Sequence, residues 1–309
     1  MQLTEKFKKN VLAALLEVRK NYGGSDAAFS KQWSINNAVF SRLKSGEIDG
    51  LLKESQWLNL GRELGINPNE RKWVTAKTDV FEAIKSDVEF CKENAKAMIL
   101  VDDCAIGKTY TAKYLSKSMS NCFYVDASQS KTRQLFIRNF AKMLGVDDKG
   151  KYATVKADIK YYLKMLTSPV VIVDEAGDLD YNAFLELKEL WNATDNACGW
   201  YMMGADGLRN KIEKGINNKK VGYREIFSRY SDKFMKIVPE DKQERISFYK
   251  KLIGDVLSVN MREKIKMNEI VKKCLATDAR GEIGGLRRAE TLLILHQAPV
   301  SSDQLEMSM

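Results

Sequence analysis

Asp102-Asp103-Cys104-Ala105-Ile106-Gly107-Lys108-Thr109 follows directly on the apolar run Ala97-Met98-Ile99-Leu100-Val101 and opens a helical stretch, 109–119. A strand that passes into a helix through a loop ending in Gly-Lys-Thr has the local shape of a phosphate cradle. Loop N–H groups and the helix N-terminus present partial positive charge to an anion. In that pattern the Lys108 ammonium reaches β- and γ-phosphates and the Thr109 hydroxyl ligates Mg²⁺. The expected nucleotide contacts are therefore Asp103, Cys104, Ala105, Ile106, Gly107, Lys108, Thr109 and Tyr110. The phosphate-loop pattern G-x-x-x-x-G-K-[ST] begins with glycine, and here that position is Asp102. Asp accepts unusual φ less readily than Gly and brings negative charge towards a phosphate, a departure that bears on hydrolysis more than on binding.

A second segment gives the loop its partner. Pro169-Val170-Val171-Ile172-Val173-Asp174-Glu175-Ala176 is four apolar residues followed by two carboxylates. Open α/β sheets bind ligands at the C-terminal ends of their strands, where these carboxylates fall. Asp174 is expected to hold Mg²⁺ through water, and Glu175 to orient or deprotonate the attacking water. Alone, the segment could be a buried strand with a solvated acidic turn. With a phosphate loop upstream it reads as part of an ATP site.

Outward from these motifs, further short apolar runs occur at Phe123–Val125, Trp200–Met203 and Phe234–Val238. Helical stretches separate them at 131–144, 153–166 and 181–194. Continuous apolar strands alternating with helices mean an α/β fold with a parallel sheet covered on both faces. Before it, Phe7, Val11, Leu15 and Val18 mark an amphipathic helix over 5–21, stopped at Gly23-Gly24. Ser25 or Asp26 caps a short helix through about Gln32, Ser34 caps the next to Lys44, and another runs from about Leu51 to Leu64. After Pro239 the pattern is helical over about 241–257, 262–275 and 284–296. The expected organisation is a helical module, 1–65; a linker, 66–77, holding Asn67-Pro68-Asn69; a nucleotide-binding domain, 78–238; a helical lid, 239–298; and a tail, 299–309.

The 309 residues are 44% hydrophobic and 29% charged, which excludes disorder and low complexity as the main character. The net charge of +9 is uneven: +4 over 1–75, −2 over 76–207, +9 over 208–290 and −2 over 291–309. A near-neutral centre with two basic flanks suggests a polyanionic partner; solvated lysine faces are the plainer account. Five scattered cysteines without a C-x-x-C pair favour a reducing compartment, and the single histidine, His296, cannot complete a zinc site with them. Charge runs through residues 1–20, and no apolar run approaches the roughly 18 residues of a membrane span. A soluble, cytoplasmic chain is expected, with no membrane partner.

With both nucleotide motifs in hand, the central region resembles the AAA+ ATPases, more narrowly the transposition group of phage Mu B, TnsC and TniB. The N-terminal helical module is similar to that of the Mu B protein. The resemblance implies an AAA+ core with a helical lid. It implies a polar sensor of the γ-phosphate after strand 200–203, where Asp206 stands; capping the next turn is the alternative role. It implies an arginine acting on a neighbouring subunit's ATP, with Arg229 favoured over Arg224. Gly284-Gly285-Leu286-Arg287-Arg288 resembles the second sensor, with Arg287 fitting better than Arg288. An arginine acting in trans makes assembly into a ring or helical filament a requirement of mechanism.

The N-terminal module also resembles the helix-turn-helix domains of phage repressors. Helix 33–44 would then be the recognition helix, with Asn36, Asn37, Ser41, Arg42 and Lys44 reaching DNA. A protein-binding or merely packed module is the alternative, and Phe29, Trp33, Phe40 and Trp57 read as core. In the transposition ATPases the loop after the second strand touches the DNA backbone, which by likeness assigns Lys131 and Arg133 to phosphates. Otherwise they form the polar first turn of a helix, where positive charge opposes the macrodipole. The leading expectation is an ATPase that assembles on double-stranded DNA with little sequence preference and selects it for a transposase. A nucleotide-switched DNA-binding regulator with little turnover and a helicase-loader-type ATPase are the rivals.

Overall fold

The computed structural model describes residues 3–20, 22, 24–67, 73–261, 266–277 and 283–297. The expected stop at Gly23, the linker's Pro68 and Asn69 and the tail from 299 lie outside the described residues. Two compact units emerge, one from Met1–Lys72, Asp87–Val101 and Ala112–Phe234, the other from Trp73–Ser86, Asp102–Thr111 and Met235–Met309.

The first unit begins with four helices, α1 (Glu5–Lys20), α2 (Asp26–Gln32), α3 (Asn37–Lys44) and α4 (Glu54–Glu63). Val11, Leu15, Phe29, Phe40, Leu43 and Trp57 are fully buried in their shared core, with the Phe29 and Phe40 rings 5.2 Å apart. Val18 is 41% exposed, because the apolar stripe of α1 outruns its packing partners. Ser25 caps α2 by accepting from Ala28 N at 3.2 Å. The expected cap of α3, Ser34, is not the cap: it sits at φ +56°, and Asn36 Oδ1 accepts from Ala38 N at 2.9 Å instead. Ile35 is pulled into the core, its N–H bonded to Ser30 O at 2.8 Å, and that moves the helix start two residues on.

The rest of this unit is a sheet with its helices. In chain order after α5 (Asp79–Asn94) come β1 (Ala97–Val101), α6 (Lys108–Ser118), β2 (Cys122–Asp126), α7 (Arg133–Leu144), α8 (Tyr152–Met165), β3 (Val170–Asp174), α9 (Tyr181–Ala193), β4 (Gly199–Gly204), α10 (Asp206–Asn217), α11 (Tyr223–Arg229) and β5 (Phe234–Met235). The strands order as β2-β3-β4-β1-β5, and β1–β4, β3–β4 and β2–β3 pair in parallel. β1, β3 and β4 are almost wholly buried, as continuous apolar runs covered on both faces must be. Register brings Val101 level with Gly204 and Asp126 level with Asp174, so β1 and β3 end at the same edge of the sheet.

The second unit continues from β5 into α12 (Lys242–Asn260), α13 (Met267–Leu275) and α14 (Gly285–Gln297), which bury Leu252, Ile253, Ile270, Cys274 and Leu293. Asp241 caps α12, accepting from Gln243 N and Glu244 N at 2.9 Å each. The fifth strand, expected over 234–238, stops at Met235. The N–H groups of Ile237 and Val238 donate to the Asp102 carboxylate, not to a neighbouring strand. No helix among the described residues is long and apolar enough to cross a membrane.

Candidate functional site

In the second unit the phosphate loop is shaped by backbone. Ala105 and Gly107 take left-handed φ values of +59° and +102°, the alternation that turns successive N–H groups towards one point. Ile106 is buried beneath the loop, and Cys104 is exposed while the other four cysteines are buried. Lys108 opens α6; its Nζ donates to the carbonyls of Asp102 at 2.8 Å and Asp103 at 2.5 Å. Thr109 follows on the first turn, and the Tyr110 hydroxyl lies 2.6 Å from Thr75 Oγ1.

The loop is also gripped by partners that no local pattern signals. Asp102, 4% exposed, spends both carboxylate oxygens on backbone N–H groups. Its charge is thereby directed at amides. Asp103 accepts from the Tyr249 hydroxyl at 2.7 Å and pairs with Arg245 at 2.7 Å, both on α12. Burial, then the bond to Asp103, pushes the Tyr249 phenol well above its ordinary range. Leu286 N donates to the Ala105 carbonyl at 2.8 Å. Gly285 permits that approach: its φ is +56°, and a Cβ there would meet the same carbonyl oxygen at 2.9 Å. Of the two candidate sensor arginines, Arg287 is exposed, and Arg288 donates to the Ala276 carbonyl at 2.9 Å.

In the first unit, Asp174 is the last residue of β3 and 1% exposed. Its Oδ2 accepts from the Tyr124 hydroxyl at 3.0 Å and its Oδ1 from Glu175 N at 3.0 Å. Burial and then the neighbouring Asp174 charge raise the Tyr124 phenol, so it stays a donor to that carboxylate. Glu175 is exposed and left-handed, at φ 50° and ψ 38°. A non-glycine residue held there costs about 1–3 kcal/mol and lifts its side chain out of the strand's alternation. Lys211 of α10 holds the following turn by donating to the carbonyls of Gly177, at 2.7 Å, and Leu179; burial lowers its pKa. Asp206 is the exposed first residue of α10, where a carboxylate complements the helix dipole.

The remaining candidates divide by what already holds them. Arg229 donates to Asn192 Oδ1 at 2.6 Å and to the Glu225 carbonyl at 2.8 Å, and lies over the Trp191 ring. Arg224 pairs with Asp232 at 3.1 Å and is 65% exposed, which makes it the more available of the two. Lys131, 58% exposed, pairs with Asp178 at 3.0 Å. Arg133 binds Glu186 at 2.6 Å and the Tyr152 hydroxyl at 3.0 Å, and Glu186 is buried and shared with Lys156. In the N-terminal module Asn36 is a helix cap and Asn37 Oδ1 accepts from Ser30 Oγ at 3.5 Å. Arg42 pairs with Glu47 and Lys44 with Asp26, each at 2.6 Å.

Residues 91–212 match the AAA domain family. Among solved structures, the chain is similar to the Aeropyrum pernix ORC2 protein in its ADPNP–ADP complexes. The two are 14% identical, the match covers 78% of this chain and 70% of that one, and the TM-score is 0.52. No curated protein matches. Strand order, the matched domain and this likeness define an AAA+ P-loop ATPase fold of the α/β class.

Proposed function

We propose that this AAA+ chain is an ATP-dependent DNA-binding ATPase of the phage Mu B, TnsC and TniB kind, which assembles on target DNA and selects it for a transposase. The observation that carries the nucleotide part is the loop after β1: two left-handed residues, Ala105 and Gly107, with Lys108 and Thr109 opening a helix. Loop N–H groups and the Lys108 ammonium would hold the β- and γ-phosphates. The oxygen donors Thr109 and Asp174 suit a hard cation such as Mg²⁺, which when bound neutralises phosphate charge. Glu175, exposed at the end of β3, is the group that would accept a proton from water. That the ORC2 protein was solved with ADPNP and ADP supports the same reading. Asp206 and Arg287 are the candidate phosphate sensors.

Arg224 is the arginine we favour for action on a neighbouring subunit's nucleotide, because its pair with Asp232 leaves it 65% exposed while Arg229 is held by Asn192, the Glu225 carbonyl and the Trp191 ring. Self-association into a ring or filament follows from that role. The basic stretch 208–290 supports largely sequence-independent contact with duplex DNA.

A fluorescent ATP analogue titrated into the full chain tests the reading, with phosphate release followed as duplex DNA is added. Binding that falls about 100-fold in Lys108→Ala, and turnover that rises with DNA, are expected. Equal binding by wild type and Lys108→Ala would contradict it.

A further inference from the structure

Asp102, the residue that departs from the phosphate-loop pattern, has work of its own in this fold. Its Oδ1 accepts from Asp103 N at 2.8 Å, and its Oδ2 from Ile237 N at 2.5 Å and Val238 N at 3.0 Å. Hydrogen bonds to an ionised acceptor are roughly twice as strong as neutral ones, and a glycine makes none of the three. The two distant N–H groups belong to the stretch where the chain leaves β5 for α12. Closed onto Asp102, they cannot extend the strand, and they join the loop to the start of the C-terminal helices. The same loop is tied twice more, through Asp103 to Arg245 and Tyr249 and through the Ala105 carbonyl to Leu286.

Resting on the nucleotide-binding reading above, we propose that Asp102 is a positioning residue that transmits phosphate-loop occupancy to Ile237 and Val238, and through them to the C-terminal helices. A phosphate bound by the loop N–H groups orders residues 103–107. A loop anchored at Asp102 passes that order to the 237–238 amides; a loop with glycine in its place keeps the phosphate and loses the relay. The proposal separates two properties that a merely structural aspartate would lose together.

Hydrogen exchange of the full chain, with and without a non-hydrolysable ATP analogue, reads the relay at the 237–238 amides in wild type, Asp102→Gly and Asp102→Asn. In wild type the analogue slows exchange there by about tenfold or more. Asp102→Gly binds the analogue within about fivefold of wild type, yet the nucleotide-dependent slowing disappears. Asp102→Asn, with an acceptor oxygen but no charge, retains part of it and decides the matter if the glycine variant does not fold by circular dichroism. Full slowing in either variant overturns the proposal. So does a wild type that binds the analogue without slowing at 237–238, and in that case the nucleotide reading stands. A wild type that binds no analogue removes both.

Discussion

The phosphate loop, which opens α6, and the polar face of α3 are each a short run of functional-looking residues, yet they differ in what the residues are doing. In the loop the shape is backbone: left-handed Ala105 and Gly107, and a lysine that opens α6. The side chains of Asp102 and Asp103 tie it to other segments, Asp102 to the N–H groups of Ile237 and Val238 and Asp103 to Tyr249 and Arg245. On α3 the proposed readers of DNA are side chains, and Asn36, Asn37, Arg42 and Lys44 each have a partner inside the module. A backbone motif keeps its meaning when the chain folds. A set of polar side chains has to be weighed against the tertiary partners that each of them also has.

The largest effect that would sharpen this contrast lies at Glu175. Glu175→Gln keeps the left-handed strand end and the nucleotide affinity, and turnover in a phosphate-release assay drops by about 10²–10⁴-fold. An unchanged rate would mean that the exposed carboxylate takes no part. Next is Gly285→Val, which forces a Cβ against the Ala105 carbonyl at a left-handed backbone position. A loss of about 1–3 kcal/mol in denaturant unfolding is expected, with weaker nucleotide binding. A neutral result would show that α14 does not brace the loop.

Arg133→Ala tests the other side of the comparison. It removes one hydrogen bond from buried Glu186, which keeps Lys156, and is expected to cost about 0.5–1.5 kcal/mol of stability. If Arg133 instead contacts DNA phosphate, stability changes little and the slope of affinity against salt falls by about one. The smallest effect is Lys44→Ala: its pair with Asp26 is exposed and contributes little to folding. Any larger loss of DNA affinity would therefore report contact rather than folding.

What was readable beforehand follows the same division. β1, β3 and β4 stand where continuous apolar runs put them, since burial on both faces leaves no room for polar alternation. Strand order was not readable, because it depends on crossovers that no local pattern records. β5 came out short because its last N–H groups are taken by Asp102, 136 residues away from Val238 in sequence. Tyr124, Tyr249 and Arg245 escaped notice for the same reason: as isolated residues in helices and strands they carry no signal until folding sets them against Asp174 and Asp103. Arg229 is visible in the sequence as an arginine ahead of the last strand, but Asn192 and Trp191, which hold it, lie on another helix.

The most direct test of nucleotide-controlled DNA binding is the anisotropy of a labelled random-sequence duplex, titrated with the full chain in ATP, ADP and no nucleotide at two salt concentrations. Tight, cooperative binding with ATP alone, weakening steeply at the higher salt, is the predicted result. Equal affinity in all three nucleotide states would contradict it and move the DNA contact away from any control by the phosphate loop.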